Sequence, residues 1–366
     1  MPPDLLSPRI LNSLKRQENT GIIQRYSPPW IKIIISLLIT LICCVLGSSI
    51  GSVSIDPYTV FLIAISKIPF LTLTAEWSES SEIILWQIRF PRVMLAVLVG
   101  SSLAVSGATY QGIFRNVLAD PYLIGVASGA GLGATIIFTL GMPISIWGIG
   151  AVPVAGFLGG ICAVGISYFI TVKSGSTSIS ALILAGVATG AFCTAVTAIL
   201  MLKSEPNLRP VLSWLMGGLI RAQWNHNLLL FIYLAPGLAI IFSYSRVINI
   251  LQLDESYATN LGVNVDKAKN ILILASTLIT AAAVSFSGII GFVGLIAPHT
   301  ARLLWGGDYR TLIPLSSTLG ATFLVISDLI ARTIISPGEL PVGIITALFG
   351  APFFLYLLSF RRRETI

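Results

Sequence analysis

Charged side chains are scarce in this chain of 366 residues. Only 10% of the residues are Asp, Glu, Lys or Arg, whereas 55% are hydrophobic. Soluble domains carry roughly 25% charged residues, so the composition excludes a soluble globular protein. Because a transmembrane helix needs about 20 apolar residues, the chain has room for roughly ten crossings.

Histidine and cysteine are also rare, and they form no metal-binding pattern. The chain has two histidines, and its four cysteines lie in apolar runs without a CxxC spacing. Cysteines in such runs act mostly as small buried hydrophobic residues. The sequence therefore predicts neither a resident metal nor a cofactor.

Catalytic motifs are missing as well. There is no GxxxxGK[ST] phosphate loop and no HExxH helix, so the chain contains no recognisable ATPase or metalloprotease machinery. Gly47 to Gly51 fits the GxSxG nucleophile pattern, and Gly129 to Ala134 fits a dinucleotide pattern. Both patterns lie inside apolar runs, without the strand, turn and helix that each chemistry requires. An intramembrane hydrolase that uses Ser49 stays as a minor alternative.

The apolar segments predict an all-α bundle of about ten transmembrane helices with both termini in the cytoplasm. The expected crossings are 31–51, 93–114, 123–140, 148–172, 180–202, 227–245, 270–290, 292–304, 312–333 and 341–360. Residues 1–30 are expected to form a basic cytoplasmic arm, 31–360 the transmembrane domain, and 361–366 a basic cytoplasmic tail. Most of the 22 lysines and arginines then lie in cytoplasmic segments, as the positive-inside rule requires. This explains the basic net charge without a nucleic-acid partner.

Three segments between the expected crossings are more polar. Residues 52–87 are acidic and are predicted to lie outside the cell. Residues 203–225 are predicted to form an outer loop with an amphipathic helix at the membrane interface. Residues 246–269 are the most soluble-looking internal segment, and we expect a short helix pair on the cytoplasmic surface there.

Two groups of polar residues interrupt the apolar regions. His299, Arg302, Asp308 and Arg310 follow a glycine-containing apolar run that starts at Ser285, which indicates a broken helix and a tight polar turn. Asp328 lies inside an expected crossing, where an unpaired carboxylate is costly. Arg332 is one helical turn later, so the spacing predicts an ion pair between these two residues.

Three stretches carry a family resemblance: Gln87 to Gly131, Ser285 to Arg310 and Asp328 to Leu358. They resemble motifs of the FecCD-type permeases of ATP-binding-cassette importers, a family with vitamin B12, iron-siderophore and haem permeases. The resemblance implies a ten-helix subunit in the bacterial cytoplasmic membrane that pairs with a second permease subunit. Its other implied partners are a cytoplasmic ATPase dimer, a periplasmic or lipid-anchored substrate-binding protein, and membrane lipid.

The resemblance also implies roles for individual residues. ATPase coupling is expected at Leu253, Asp254, Glu255, Ala258, Leu261 and Gly262, where Asp254 replaces the glycine usual in the family. Docking of the binding protein is expected at Arg89, Arg92 and Arg332, because arginine forks suit paired contacts with carboxylates. Ser106, Tyr110 and Gln111 are expected either to line the translocation path or to pack between helices.

The expected function is the transport of a metal chelate by alternating access, powered by separate ATPase subunits. A ferric siderophore is the first expectation for the substrate, and cobalamin and haem are the alternatives. An ion-coupled secondary transporter is the main competing class. It would need ionisable groups along the path, and intramembrane carboxylates are scarce in this sequence.

Overall fold

Helices form nearly all of the described chain. The computed structural model describes residues 29–51, 53–68, 77–141, 145–146, 149–174, 178–203, 208–335 and 338–361. The helices are α1 (Pro29–Ser49), α2 (Pro57–Ser66), α3 (Glu79–Ile113), α4 (Val126–Leu140), α5 (Ala151–Lys173), α6 (Ile179–Leu202), α7 (Leu208–Leu215), α8 (Trp224–Ser243), α9 (Ser245–Leu251), α10 (Glu255–Asn260), α11 (Val265–Ser287), α12 (Val293–Trp305), α13 (Tyr309–Thr333) and α14 (Val342–Arg361). Two short antiparallel strands, β1 (Ser145–Ile146) and β2 (Ile149–Gly150), lie between α4 and α5.

The predicted all-α membrane fold is confirmed. In the part of the chain that the structure describes, seven helices are long and apolar enough to cross a membrane: α1, α3, α5, α6, α8, α11 and α13. The other three expected crossings correspond to α4, α12 and α14, which do not meet that criterion, so the count of ten crossings and the position of the termini stay predictions. The predicted basic arm and basic tail lie almost wholly outside the described residues.

The beginning of α3 differs from the prediction. The second crossing was expected to start after Arg92, but the helix starts at Glu79 and runs for 35 residues. Ser78 caps it, because its side chain accepts a hydrogen bond from the N–H of Ser81. Residues Ile84–Arg89 form a π-helical turn, a local widening of the helix that often marks a functional site. The expected outer segment 52–87 therefore contributes about two and a half turns of helix, residues 79–87, to the bundle.

Glycines allow α3 to lie at the centre of the bundle. A Cβ atom at Gly100 would lie 2.3 Å from the carbonyl oxygen of Gly320 in α13. A Cβ atom at Gly107 would lie 1.9 Å from the carbonyl oxygen of Gly294 in α12. The backbones of α3, α12 and α13 are thus in direct contact, which is the small-residue packing typical of membrane helices.

The predicted broken helix is present between α11 and α12. The φ angles of Gly288 and Phe292 are +68° and +69°, and the positive value at Phe292 is rare for a residue with a side chain. The hydroxyl of Tyr122 donates to the carbonyl of Ile290 at 2.9 Å and accepts from its N–H at 3.3 Å. Non-helical backbone inside a membrane protein needs such internal partners. The helix α7 also packs here, since a Cβ at Gly288 would lie 2.1 Å from the Trp214 carbonyl oxygen.

Candidate functional site

The two short helices α9 and α10 form a surface unit with well-defined helix ends. The carboxylate of Asp254 caps α10 by accepting from the N–H of Glu255 at 2.6 Å. Gly262 ends the following turn with a φ of +82°, a conformation that favours glycine. Asn264 caps α11 by accepting from the N–H of Lys267 at 3.0 Å. The helix pair predicted for this segment is confirmed, and its caps fix its shape.

One face of this unit is buried and the other is apolar and exposed. Ala258 is completely buried and packs with Leu251. Leu253, Tyr257 and Leu261 are 72%, 64% and 67% exposed. They follow one another at four-residue intervals on and beside α10, and grouped exposed apolar side chains mark interaction sites. We call these three residues the apolar patch.

Charged residues connect this unit to the end of α3. Arg115, directly after α3, lies 3.7 Å from a carboxylate oxygen of Asp254 and 3.5 Å from one of Glu255. Lys269 binds the other oxygen of Glu255 at 2.7 Å. The backbone N–H of Glu255 lowers the pKa of Asp254, and the nearby Arg115 guanidinium adds to the effect. Sequence reasoning missed Arg115 and Lys269, because nothing local in the sequence pairs them with α10.

Hydrogen bonds attach α9 to the ends of two central helices. The side-chain amide of Gln252 donates to the carbonyl of Gly112 in α3 at 2.7 Å. Asn249 donates to the carboxylate of Asp308 at 2.7 Å and accepts from the N–H of Tyr309 at 2.9 Å. A displacement of α9 and α10 would therefore be transmitted directly to α3 and α13.

The polar residues around Asp308 have three separate sets of partners. The guanidinium of Arg310 binds Asp308 at 2.6 Å, and its hydrogen bonds are the main reason why the pKa of Asp308 falls to about 2. Arg302 instead donates to the side chain of Gln111 in α3 at 3.2 Å. His299 packs against the aromatic rings of α14. The sequence places these residues close together, but the structure gives them different helix-anchoring roles.

An ion cluster, buried except for Glu339, lies at the opposite end of α3 and α13. We define it as Arg92, Asp328, Arg332 and Glu339. Arg92 binds Asp328 at 2.8 to 3.1 Å and Glu339 at 2.8 Å. The predicted pair of Asp328 and Arg332 is present at 3.3 Å, and Arg332 also donates to the carbonyl of Gly47 in α1. Paired charges in a buried site stabilise one arrangement because removing either partner leaves an uncompensated charge.

Arg89 has different partners within the same end of the bundle. It is 5% exposed and donates to the carbonyls of Ser48 and Ser49 at 2.7 and 3.0 Å, and also to the carbonyl of Val53. These carbonyls lie at and just beyond the end of α1, where unpaired acceptors and the helix dipole favour a cation. The guanidinium groups of Arg89, Arg92 and Arg332 thus all have partners within the chain.

Ser106, Tyr110 and Gln111 lie in the interior and are each at most 2% exposed. The hydroxyl of Ser106 donates to the carbonyl of Ser276 at 3.1 Å, and the hydroxyl of Tyr110 lies 3.0 Å from that of Thr277. Gln111 donates to a carbonyl of α12 at 3.3 Å. In this conformation their contacts fit the packing alternative, and a role in lining the path stays a prediction.

The serine of the GxSxG pattern lies in a regular helix. The hydroxyl of Ser49 donates to the carbonyl of Val45 one turn earlier at 2.9 Å. Such bonding within a helix is ordinary for serine in an apolar helix. The hydrolase alternative therefore gains no support from the geometry.

Comparisons with known proteins agree with this architecture. The sequence profile of the FecCD transport family matches residues 37–360. The chain is 46% identical over 283 residues to a cobalamin import permease of Halobacterium salinarum, covering 77% of this chain and 75% of the relative. It is 39% identical over 336 residues to a hemin transport permease of Yersinia pestis, covering 90% and 95%. A solved inward-facing structure of a metal-chelate type ABC transporter superimposes with a TM-score of 0.76 at 31% identity, covering 89% and 98%.

Proposed function

The chain belongs to the FecCD transport family, and from that premise we propose its substrate, its orientation and the places where its partners bind. It is the membrane-spanning permease subunit of an ABC importer, and ATP hydrolysis belongs to a separate subunit. We assign it an iron-siderophore-type metal chelate as substrate, which agrees with the metal-chelate type of the matching structure. Cobalamin is the second candidate, favoured by the relative with 46% identity, and haem is the third.

The proposed topology has ten crossings with both termini in the cytoplasm of a bacterial cell, so that α9 and α10 face the cytoplasm. Support comes from the basic residues around this unit, which the positive-inside rule places there. They are Arg115, Arg246, Lys267 and Lys269. The ion cluster then lies at the outer end, where a periplasmic or lipid-anchored binding protein delivers substrate.

The observation that carries the coupling proposal is the apolar patch on a rigidly capped helix pair. An ATPase dimer docks against Leu253, Tyr257 and Leu261, while Asp254, Glu255, Ala258 and Gly262 keep the pair in shape. Closure of the ATPase dimer on ATP pushes α10, and the hydrogen bonds of α9 carry the movement to α3 and α13. A second permease subunit pairs with this chain to form the translocation path.

Docking of the binding protein at Arg89, Arg92 and Arg332 stays a prediction, and the structure suggests how it works. Their guanidinium groups already bind internal acceptors, so their direct effect is to hold the ends of α1, α3 and α13 together. Glu339 is the cluster member with the most exposed side chain, at 33%. A partner carboxylate would reach Arg92 from the side where Glu339 now binds.

The apolar patch can be tested with a matched pair of substitutions. Leu253→Ser removes an exposed leucine from the patch, and Leu202→Ser removes one that is 85% exposed at the far end of α6. Burying a leucine contributes about 1.5–3 kcal/mol, so Leu253→Ser should weaken ATPase binding about tenfold or more. Leu202→Ser should not change it. The affinity of the ATPase for the purified permease dimer can be measured for both variants. Equal affinities would show that the patch is not part of the docking surface.

The substrate assignment needs the complete importer. Proteoliposomes that contain the permease, its ATPase and its binding protein should take up a ferric siderophore in an ATP-dependent manner. Uptake of cobalamin or haem in place of the siderophore would move the assignment to that chelate. Uptake by the permease alone, driven by a proton or sodium gradient, would overturn the ABC mechanism.

A further inference from the structure

A groove on the surface of the bundle belongs neither to the apolar patch nor to the ion cluster. It lies between α1, α8 and α13 and has a volume of about 480 Å³. Its walls include Ile33, Leu37, Phe231, Phe242, Pro314 and Thr318. Phe231 and Phe242 are 56% and 49% exposed, so the groove opens to the surroundings of the bundle.

The packing of the three helices explains why the groove exists. The hydroxyls of Ser36 and Thr318 lie 2.6 Å apart, and those of Thr40 and Thr322 lie 2.9 Å apart, which holds α1 against α13. The helix α8 contributes alanines to the wall, including Ala239, and these small side chains leave the space unfilled. Among the residues that the structure describes, no side chain closes the groove.

The wall that α8 contributes to the groove is about as long as one leaflet of a membrane. From Phe231 to Phe242 the wall of α8 extends about 16 Å at about 1.5 Å per residue. Half of the hydrocarbon core of a bilayer is about 15 Å. The wall residues lie near the beginning of α1 and α13 and near the end of α8, so the groove reaches the end of the bundle that carries α9.

Three basic residues stand beyond the wall at this end: one on α1, one on α13, and one on α9, which follows α8 directly. Lys32 directly precedes the wall residue Ile33, Arg310 is one turn before Pro314, and Arg246 is four residues after Phe242, in α9. Arg246 and Arg310 are exposed, and Lys32 is half-buried. Asp308 binds Arg310 and offsets part of its charge. The rim of the groove keeps a positive balance beside an apolar channel.

We propose that this groove binds an anionic phospholipid, with an acyl chain against α8 and the phosphate near Lys32, Arg246 and Arg310. An apolar channel one leaflet long with a basic rim complements both parts of such a lipid. The lipid joins α1, α8 and α13 next to α9, so it stabilises the region through which coupling passes. Because α9 faces the cytoplasm in the proposed topology, the lipid belongs to the inner leaflet; this assignment rests on that topology, whereas the site itself does not.

The full chain, purified in detergent, can be titrated with phosphatidylglycerol and with phosphatidylcholine, and the bound lipid counted by native mass spectrometry. Phosphatidylglycerol should bind more tightly. The double variant Lys32→Gln, Arg246→Gln should bind it roughly 25-fold more weakly, since each basic residue near a membrane surface contributes about fivefold. The control Lys173→Gln, Lys203→Gln removes two basic residues elsewhere and should bind like the native chain.

A second variant tests the channel itself. Ala239→Phe places an aromatic ring in the groove at an exposed position, so it should fold normally and lose both lipids. Equal binding of the two lipids, or unchanged binding in both test variants, would overturn the proposal. The proposal would also be overturned if Ala239→Phe lost dimers but kept its lipid, because a second copy of the chain would then be the occupant of the groove. The topology is tested separately by labelling Arg246→Cys from one side of sealed vesicles, and an outward position would change the leaflet but not the site.

Discussion

Asp328 and Glu339 bind the same arginine, but neutralising them should have very different effects. Asp328 is 1% exposed, accepts three hydrogen bonds from Arg92 and pairs with Arg332. The change Asp328→Asn keeps the shape but leaves two buried guanidinium groups without this carboxylate. Breaking a buried ion pair costs about 3–5 kcal/mol. The side chain of Glu339 is 33% exposed, and a pair that is open to water contributes only about 0–1 kcal/mol.

Thermal unfolding of the detergent-solubilised chain can measure this difference. At about 2 °C per kcal/mol, the value for larger domains, Asp328→Asn should lower Tm by about 6–10 °C. By the same conversion, Glu339→Gln should lower it by at most about 2 °C. The two variants remove one negative charge each and share the partner Arg92, so each is the control for the other. Equal decreases, or a decrease below about 2 °C for Asp328→Asn, would refute the reasoning that burial determines the strength of this cluster.

Three further predictions concern the helix contacts, the coupling links and the effect of pH. Gly107→Ala should destabilise the chain by about 1–3 kcal/mol or more, because the new Cβ meets a backbone oxygen at 1.9 Å. The control Gly165→Ala has no atom within 4 Å of the new Cβ and should be neutral or stabilising by up to about 1 kcal/mol. Equal Tm values for the two variants would contradict the close approach at Gly107. Arg115→Gln should lower the amount of substrate transported per ATP in the reconstituted importer without lowering ATP hydrolysis or Tm. The control Lys173→Gln should leave this ratio unchanged. An unchanged ratio in both variants would exclude a coupling role for the contact of Arg115 with α10. Hydrogen bonds from Arg310 lower the pKa of the Asp308 carboxyl group to about 2. The stabilising effect of the Asp308 carboxylate is therefore complete above about pH 4 and is lost as the pH falls towards about 2. The Tm difference between the native chain and Asp308→Asn should therefore be constant from about pH 8 to about pH 5 and shrink in more acidic solution; a change near neutral pH would contradict the lowered pKa.

The sequence predicts most helices because apolar runs and polar ends are local signals. The predicted start of α3 was wrong because the segment before Arg92 contains Glu79 and Glu82, which are typical of an exposed loop. Ser78 followed by acidic residues is also the signal of a capped helix start, and this signal could have placed the start correctly. The π-helical turn that follows has no sequence pattern that distinguishes it from an α-helical turn.

The candidate sites were predictable only where their residues are close in sequence. The spacing of Asp328 and Arg332 predicted their ion pair, and the polarity of the α9 and α10 segment predicted its surface helices. The pairs of Arg92 with Asp328 and of Arg115 with Glu255 connect distant parts of the chain. Both pairs form only because α3 packs against those parts. A single sequence carries no local pattern for such contacts, so sequence reasoning assigned Arg92 to a partner protein and did not consider Arg115.

The contacts of α3 through Gly100 and Gly107 also determine which parts of the molecule can move. Where two backbones touch, there is no layer of side chains that can repack, and sliding by one residue would press a Cβ into a carbonyl oxygen. The two contacts therefore oppose any sliding of α3 along α12 or α13. A push that the proposed coupling carries from α9 to α3 and α13 would then displace these three helices as one body. The non-helical residues between Gly288 and Phe292, which join it to α11, are the place where the chain can bend.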